Sequence, residues 1–160
     1  MNKSIYPGTF DPIHYGHLDI LSRASAIFTQ VIMAVSNNRY KKTMFTIDER
    51  IELAKKTTIH LKNIKVISFS NLTATLAKQQ KTNILIRGVR SIIDFEYEKQ
   101  IANINHSISP KLETLFLISQ QNLSFISSSL IKNIALYNGD ISTFLPKVVH
   151  KAILKKIKNI

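Results

Sequence analysis

Tyr6-Pro7-Gly8-Thr9-Phe10-Asp11-Pro12-Ile13-His14-Tyr15-Gly16-His17 is the stretch of sequence that best indicates how this chain folds. It follows a short apolar segment and precedes a helical pattern, so it is expected at a strand-to-helix junction. Free backbone N–H groups and the helix dipole favour anions at such a junction. Its two histidines, three residues apart, lie on one side of the helix. The stretch therefore predicts a phosphate-binding site, although the glycines of the dinucleotide-binding fingerprint are missing.

Length and composition limit the class of protein. A chain of 160 residues can bury one core and is too short for two ordinary domains, so a single domain over residues 1–160 is predicted. Cysteine is absent, which excludes disulfides, thiolate metal ligands and a cysteine nucleophile. Neither a secretory signal nor an apolar run of membrane-spanning length is present. We therefore expect a cytoplasmic protein that does not bind membranes.

The formal net charge of +12 raises the alternative of a basic nucleic-acid-binding module, because basic surfaces attract polyanions. Most of the positive charge is lysine, however, and it is spread along nearly every predicted helix. A pocket for small phosphate-bearing substrates explains the charge equally well. We therefore expect no nucleic-acid partner and keep the nucleic-acid-binding module as the weaker alternative.

Strand-like and helix-like segments alternate along the chain. Apolar runs predict strands at residues 3–6, 31–35, 64–69, 83–86 and 114–118. Helical spacing predicts one helix that begins at residue 16, one that begins at residue 47, a short one around 72–77 and a long one over 93–108. Two further helices are predicted to begin at the serines of 127–129 and at Pro146, the latter as a first helical residue. Thr46 and Glu49 form a capping-box signature. The alternation predicts an α/β, Rossmann-like fold: a doubly wound, five-stranded parallel sheet with helices on both faces.

Polar segments follow each predicted strand. In a parallel sheet of this kind, ligands bind beyond the carboxyl ends of the strands, where the strand order reverses. We therefore expect one site built from five loops, at residues 9–17, 41–42, 70–73, 87–90 and 124–129.

The residue types in these loops indicate phosphate chemistry. Lys41, Arg87 and Arg90 supply positive charge, the histidines supply donors, and the serine-rich helix start supplies backbone N–H groups. No pair of nucleophile and base is evident, and the carboxylates are too few for a tight metal site. This set favours phosphoryl or nucleotidyl transfer, in which the protein positions the reactants and stabilises developing charge.

The His14-Tyr15-Gly16-His17 element resembles the signature of the HxGH nucleotidyltransferase superfamily. Three further stretches narrow the resemblance: residues 87–98, with Arg87-Gly88-Val89-Arg90 and Asp94-Phe95-Glu96-Tyr97-Glu98, then 125–129, then 139–146. Together they are similar to the bacterial phosphopantetheine adenylyltransferases over essentially the whole chain. A nicotinamide mononucleotide adenylyltransferase or a glycerol-phosphate cytidylyltransferase would share the first signature and the serine turn. Residues 94–98 argue against both alternatives.

The resemblance implies a reaction and its participants. ATP and 4′-phosphopantetheine would give dephospho-coenzyme A and pyrophosphate, a step of coenzyme A biosynthesis. Mg²⁺ would be bound mainly through the ATP phosphates, with no metal ligand assigned to the protein. Dephospho-coenzyme A or coenzyme A would occupy the same pocket, and the family suggests a homohexamer.

The resemblance also implies roles for individual residues. The catalytic residues would be His17, which stabilises transition-state oxygens, together with Lys41 and Arg90. Thr9 and Lys41 would hold the attacking phosphate and the α-phosphate. The ATP-binding residues would be Thr9, Phe10, His14, His17, Gly88, Val89, Arg90, Glu98, Leu123, Ser124, Phe125, Ile126, Ser127, Ser128 and Ser129. The residues that bind phosphopantetheine would be Thr9, Lys41, Leu72, Thr73, Arg87 and Asn105. Asn71, Thr73 and Leu123 depart from the residue types usual in the family.

Overall fold

A computed structural model describes residues 2–158. The ends of the predicted domain, Met1 and residues 159–160, lie outside these described residues. The five strands are β1 (Lys3–Gly8), β2 (Gln30–Ser36), β3 (Ile64–Phe69), β4 (Ile84–Val89) and β5 (Glu113–Ile118). The six α-helices are α1 (Tyr15–Ile27), α2 (Ile47–Thr58), α3 (Thr73–Gln79), α4 (Ile92–Ile108), α5 (Ser128–Leu136) and α6 (Lys147–Ile157).

All five strands are parallel and form one sheet in the order β3-β2-β1-β4-β5. The predicted doubly wound, five-stranded α/β fold is therefore confirmed. The strand order reverses between β1 and β4, which are neighbours in the sheet but far apart in the chain. Connections from these two strands leave on opposite faces, and this opens a crevice beyond their carboxyl ends.

The alternation of side chains along β2 divides the core into two layers. Val31, Met33 and Val35 face a large apolar cluster that includes residues of α1, α2, α5 and α6. Ile32 and Ala34 face a smaller cluster with α3. Successive residues of a strand point to opposite faces, so a continuous apolar run is what a central strand covered on both faces requires.

Two local predictions need correction, and two short elements were not predicted. Residues 87–89 were expected in the loop after the fourth strand, but they belong to β4, because they pair with residues 116–118 of β5. Pro146 precedes α6 as its N-cap and is not its first helical residue. Two short 3₁₀-helices, Gln121–Leu123 and Ser142–Phe144, were not predicted, since three residues are too few to give a periodic pattern. None of the helices within residues 2–158 combines the length and the apolar character of a membrane-spanning segment.

Candidate active site

A cavity of about 310 Å³ lies at the carboxyl ends of β1 and β4, beside the predicted motifs. Four of the five predicted loop segments contribute to it, the segment at residues 70–73 being the exception. The predicted site residues that line it are Thr9, Phe10, His14, His17, Lys41, Arg87, Gly88, Arg90, Glu98, Ser127, Ser128 and Ser129. Residues from distant parts of the sequence thus meet where the strand order reverses, as expected.

A second cavity of about 240 Å³ adjoins the first. Both cavities are lined by Thr9, Arg87 and Glu98, which therefore stand at their junction. The fifth predicted loop segment enters here through Thr73, and Asn105 of α4 lies on the same wall. The site is accordingly two connected compartments with a charged boundary between them.

His14 and His17 form a reciprocal cap at the start of α1. His14 Nδ1 accepts the backbone N–H of His17 at 3.4 Å, and His17 Nδ1 accepts the backbone N–H of His14 at 3.3 Å. The rings stack with their centroids 3.7 Å apart. Because both Nδ1 atoms accept, a neutral ring carries its proton on Nε2, so the cap selects one tautomer for each histidine.

Burial keeps both imidazoles neutral. It lowers the pKa of His14 to about 3, and the charge of Arg90 acts in the same direction. Burial also lowers the pKa of His17 well below its ordinary value, with additional contributions from His14, Arg90 and Arg87. At neutral pH, His17 is therefore an uncharged N–H donor in the cavity wall and not a cation.

Two glycines allow this packing. A Cβ on Gly16 would lie 3.0 Å from Cε1 of His14, so a side chain there would displace the capping ring. A Cβ on Gly8 would lie 2.8 Å from the ring of Phe10. Phe10 itself is buried with a positive φ of 50°, and its ring meets that of His17 edge-on at 4.9 Å. The stretch from Gly8 to His17 therefore packs closely around the two imidazole rings. The peptide bond between Asp11 and Pro12 is cis.

Thr9 and Lys41 meet at the mouth of the larger cavity. Lys41 Nζ donates to Thr9 Oγ1 at 3.1 Å, which joins the loop after β1 to the loop after β2. A hydroxyl and an ammonium group held this close offer two donors to one phosphate group.

Arg87 and Glu98 form a paired charge at the boundary between the compartments. Arg87 Nη2 and Nε donate to the two Glu98 carboxylate oxygens at 2.5 and 2.6 Å, and Arg87 Nη1 donates to the carbonyl of Pro7. Burial alone would lower the pKa of Arg87, but its hydrogen bonds and charge interaction with Glu98 outweigh burial and raise that pKa. The guanidinium therefore remains charged while facing both cavities.

Arg90 lies just beyond β4 and contacts the serine turn. Its Nη1 donates to the carbonyl of Ile126 at 3.2 Å, and its Nε donates to Asp94 at 3.2 Å. Ser127 is the N-cap of α5, where its hydroxyl accepts the N–H of Leu130 at 3.1 Å. Ser128 Oγ donates to the carbonyl of Pro12 at 2.9 Å, which fixes this helix start against the β1 loop. The positive end of the α5 dipole therefore lies beside the cavity.

Asp11 and Lys132 are among the cavity residues that the sequence analysis did not assign to the site. Lys132 Nζ lies 2.8 Å from the carboxylate of the buried Asp11, which also accepts the N–H groups of Met44 and Phe45 at 2.9 Å each. Lys132 follows Ser128 by one helical turn, so helical spacing from the serine start could have identified it. Asp11 lies inside the opening motif, but no local pattern indicates its distant partners.

Six predicted site residues do not line either cavity. They are Leu72, Val89, Leu123, Ser124, Phe125 and Ile126. Val89 and Ile126 are buried. Leu72 and Phe125 are largely exposed to solvent. The roles of all six remain predictions.

The carboxylates that line the larger cavity each pair with a cationic side chain. Asp11 pairs with Lys132, Asp94 with Arg90, and Glu98 with Arg87. Within residues 2–158, no group of three or more histidine, aspartate or glutamate residues could hold a metal ion. Every carboxylate that lines the larger cavity is therefore already engaged by a cationic side chain.

Comparison with known proteins shows which family the chain resembles. The cytidylyltransferase-like family model matches residues 5–134. The phosphopantetheine adenylyltransferase of Photorhabdus laumondii is 57% identical over 155 residues, covering 97% of either chain. That of Buchnera aphidicola from Acyrthosiphon pisum is 56% identical over 161 residues, covering 99% of this chain and 98% of the relative.

A solved structure of the Plasmodium falciparum nicotinic acid mononucleotide adenylyltransferase, complexed with NaAD, shares the fold. Its TM-score is 0.70 at 21% identity, with 96% of this chain and 95% of that chain covered. At this identity the likeness concerns the fold alone, whereas the relatives above 50% identity match along nearly their whole length. The chain therefore belongs to the cytidylyltransferase-like family and, within it, to the phosphopantetheine adenylyltransferases.

Proposed function

We propose that this enzyme transfers the adenylyl group of ATP to 4′-phosphopantetheine and releases dephospho-coenzyme A and pyrophosphate. The observation that carries the proposal is the pair of connected cavities that meet at Thr9 and Arg87. The larger one, next to the serine turn and the histidines, suits a triphosphate. The smaller one, with Thr73 and Asn105, suits the extended pantetheine arm.

In this reaction the phosphate of phosphopantetheine attacks the α-phosphorus of ATP in line. The bond between the α-phosphorus and the bridging oxygen to the β-phosphate breaks, and pyrophosphate leaves with that electron pair. The attacking phosphate is already ionised, so no general base is required. Thr9 and Lys41 hold the attacking phosphate and the α-phosphate, and Arg87 holds the phosphopantetheine side.

Transition-state charge would be stabilised by donors that need little rearrangement. His17 donates through Nε2 to the oxygens that become more negative. Because its imidazole is neutral, the surrounding cations do not repel it. Arg90 and the start of α5 receive the β- and γ-phosphates. Holding two reactants in line can contribute on the order of 7 to 11 kcal/mol in favourable cases.

Mg²⁺ would enter with ATP, because each carboxylate of the larger cavity is paired with a cation. The metal would neutralise part of the triphosphate charge. Arg90 and the serine turn would orient the same phosphates from the protein side.

We further propose that the enzyme acts in the cytoplasm as a homohexamer and has no nucleic-acid partner. Dephospho-coenzyme A or coenzyme A would compete for the same two cavities, since each carries the pantetheine arm and the adenylate together. Size-exclusion chromatography with light scattering measures the assembly, and a mass other than six chains would contradict the hexamer.

A substrate panel tests the proposed activity. Purified enzyme with ATP and Mg²⁺ is expected to release pyrophosphate with 4′-phosphopantetheine, but not with nicotinamide mononucleotide. Cytidine triphosphate with glycerol phosphate is likewise expected to give none. Turnover with either alternative pair and none with phosphopantetheine would overturn the proposal. Tight, salt-sensitive duplex binding without turnover would instead favour nucleic-acid binding.

A further inference from the structure

Arg50 is a buried arginine that neither the sequence analysis nor the proposed mechanism uses. It lies in the first turns of α2, and only 3% of its surface is exposed. No ion pair joins it to a carboxylate within residues 2–158; all three of its hydrogen bonds go to backbone carbonyl groups. Burial lowers its pKa, an effect that the charge of Asp11 opposes.

The three carbonyls belong to segments that carry or flank the proposed phosphate-binding pair. Arg50 Nη1 donates to the carbonyl of Thr9 at 2.8 Å and to that of Ser36 at 2.7 Å, and its Nε donates to that of Phe45 at 3.2 Å. Ser36 ends β2, and Phe45 lies just before the N-cap of α2. Arg50 therefore holds both ends of the loop that carries Lys41.

The same guanidinium also holds the backbone of Thr9, so it fixes both members of the pair whose side chains meet at 3.1 Å. A planar guanidinium has five N–H donors in a rigid fork, and such a fork can serve three carbonyls at once. A lysine ammonium is a single point on a flexible stem and cannot reproduce that geometry. A small displacement of positioning groups is enough to slow a reaction strongly.

We infer that Arg50 is a positioning residue for the adenylyl transfer: it sets the separation of Thr9 and Lys41 without touching either substrate. The inference rests on the proposed function. Arg50 acts through Lys41 and Thr9, so its contribution to the rate depends on Lys41 being present. A merely structural arginine would instead lower activity by the same factor in any background.

A double-mutant cycle separates these two roles. Arg50→Lys is expected to lower kcat/KM for 4′-phosphopantetheine at least tenfold, while changing the KM for ATP less than threefold. In a Lys41→Ala background, the same Arg50→Lys change is expected to lower kcat/KM less than threefold. Arg50→Gln, which has one amide donor group, is the second variant and should give the same pattern.

Arg23→Lys is the matched control. Arg23 also donates to a backbone carbonyl, that of Ile118 at 2.6 Å, but it lies outside both cavities. Its replacement should leave kcat/KM within twofold of the wild type. Circular dichroism and thermal melting establish that each variant is folded before kinetics are compared.

Three outcomes of these experiments would overturn the positioning role of Arg50. Equal fold losses in the wild-type and Lys41→Ala backgrounds, or no loss at all, would overturn the inference while leaving the proposed function intact. Failure of both Arg50→Lys and Arg50→Gln to fold at 25 °C would assign Arg50 to stability alone and would also overturn it. A wild-type enzyme without activity on 4′-phosphopantetheine would reject the proposed function, and the inference would be rejected with it.

Discussion

At the scale of single residues, the candidate site places two neutral histidines beside cationic side chains. His17 is held by its reciprocal cap with His14 and is kept uncharged by burial. Nearby, Arg87 pairs with Glu98 and Arg90 pairs with Asp94. A neutral N–H donor that is fixed among cations can stabilise charge developing on phosphate oxygens through a hydrogen bond that is already oriented.

Replacing His17 should therefore affect turnover more than ground-state binding. His17→Ala is expected to lower kcat by about 10²- to 10³-fold, the effect typical of losing one transition-state donor, while the Kd for ATP changes little. Pyrophosphate-release kinetics and titration calorimetry give the two quantities. His60→Ala, at an exposed histidine outside both cavities, is the control and should behave like the wild type. Equal turnover in both variants would remove His17 from the mechanism.

Burial of neutral His14 should make stability depend on pH. As the pH falls below the ordinary histidine pKa of 6.5, the unfolded chain takes up a proton that the folded chain accepts only near pH 3. Stability is thus full above pH 6.5 and decreases between pH 6.5 and 3, by about 1.4 kcal/mol per pH unit. His14→Asn keeps a capping side chain but removes this titration.

Urea unfolding at pH 7 and pH 5 measures the effect. Between these two values, the wild type is expected to lose about 2 kcal/mol more free energy of unfolding than His14→Asn. The same loss in both proteins would mean that His14 does not contribute to acid sensitivity.

At the scale of elements, the start of α5 serves the fold and the site together. Ser127 caps the helix through the N–H of Leu130, and Ser128 bonds to the loop after β1. The nine-residue helix therefore presents its remaining N–H groups beside the cavity in a fixed orientation. Arg90, just beyond the end of β4, reinforces this arrangement by donating to the carbonyl of Ile126.

Removing the cap should weaken both roles. Ser127→Ala is expected to cost about 1 kcal/mol of stability, the usual loss for an N-cap, and to raise the KM for ATP severalfold. Denaturant unfolding and steady-state kinetics measure the two effects. Ser25→Ala removes a hydroxyl that bonds within α1, away from the cavities, and should change neither quantity appreciably. A stability loss with an unchanged KM would limit Ser127 to a structural role.

At the scale of the whole molecule, α4 presents an apolar stripe to solvent. Ile93, Tyr97, Ile104 and Ile108 recur at helical spacing, and each is more than half exposed. The neighbouring side of the same helix supplies Glu98 and Asn105 to the cavities, each one position after a residue of the stripe. A contiguous exposed apolar surface of this kind is characteristic of a protein interface, and it is consistent with the proposed homohexamer.

A charge placed in the stripe should disrupt that assembly. Ile104→Lys is expected to reduce the mass measured by light scattering, because an unpaired lysine would be buried at the interface. Leu154→Lys, at a partly exposed position on α6, is the matched control and should retain the wild-type mass. An unchanged mass for Ile104→Lys would exclude this stripe from the interface.

The sequence alone was sufficient to predict the fold class, the five strands and the edge of the sheet at which the site forms. Apolar periodicity and capping signals are local properties, so the helix begun by Thr46 and the buried run of β2 were recognisable from neighbouring residues. The family was recognisable for a related reason, since its motifs are short and keep their order along the chain.

Only the tertiary structure decided which side chains meet. Asp11 and Lys132 are 121 residues apart, and Arg50 reaches Thr9 across 41 residues. The pairing of Arg87 with Glu98 depends on α4 packing over β4. These contacts, and the resulting neutral state of His17, follow from burial and long-range geometry. Because no short segment of sequence encodes the dielectric surroundings or the distant partner of a side chain, they became visible only in the folded chain.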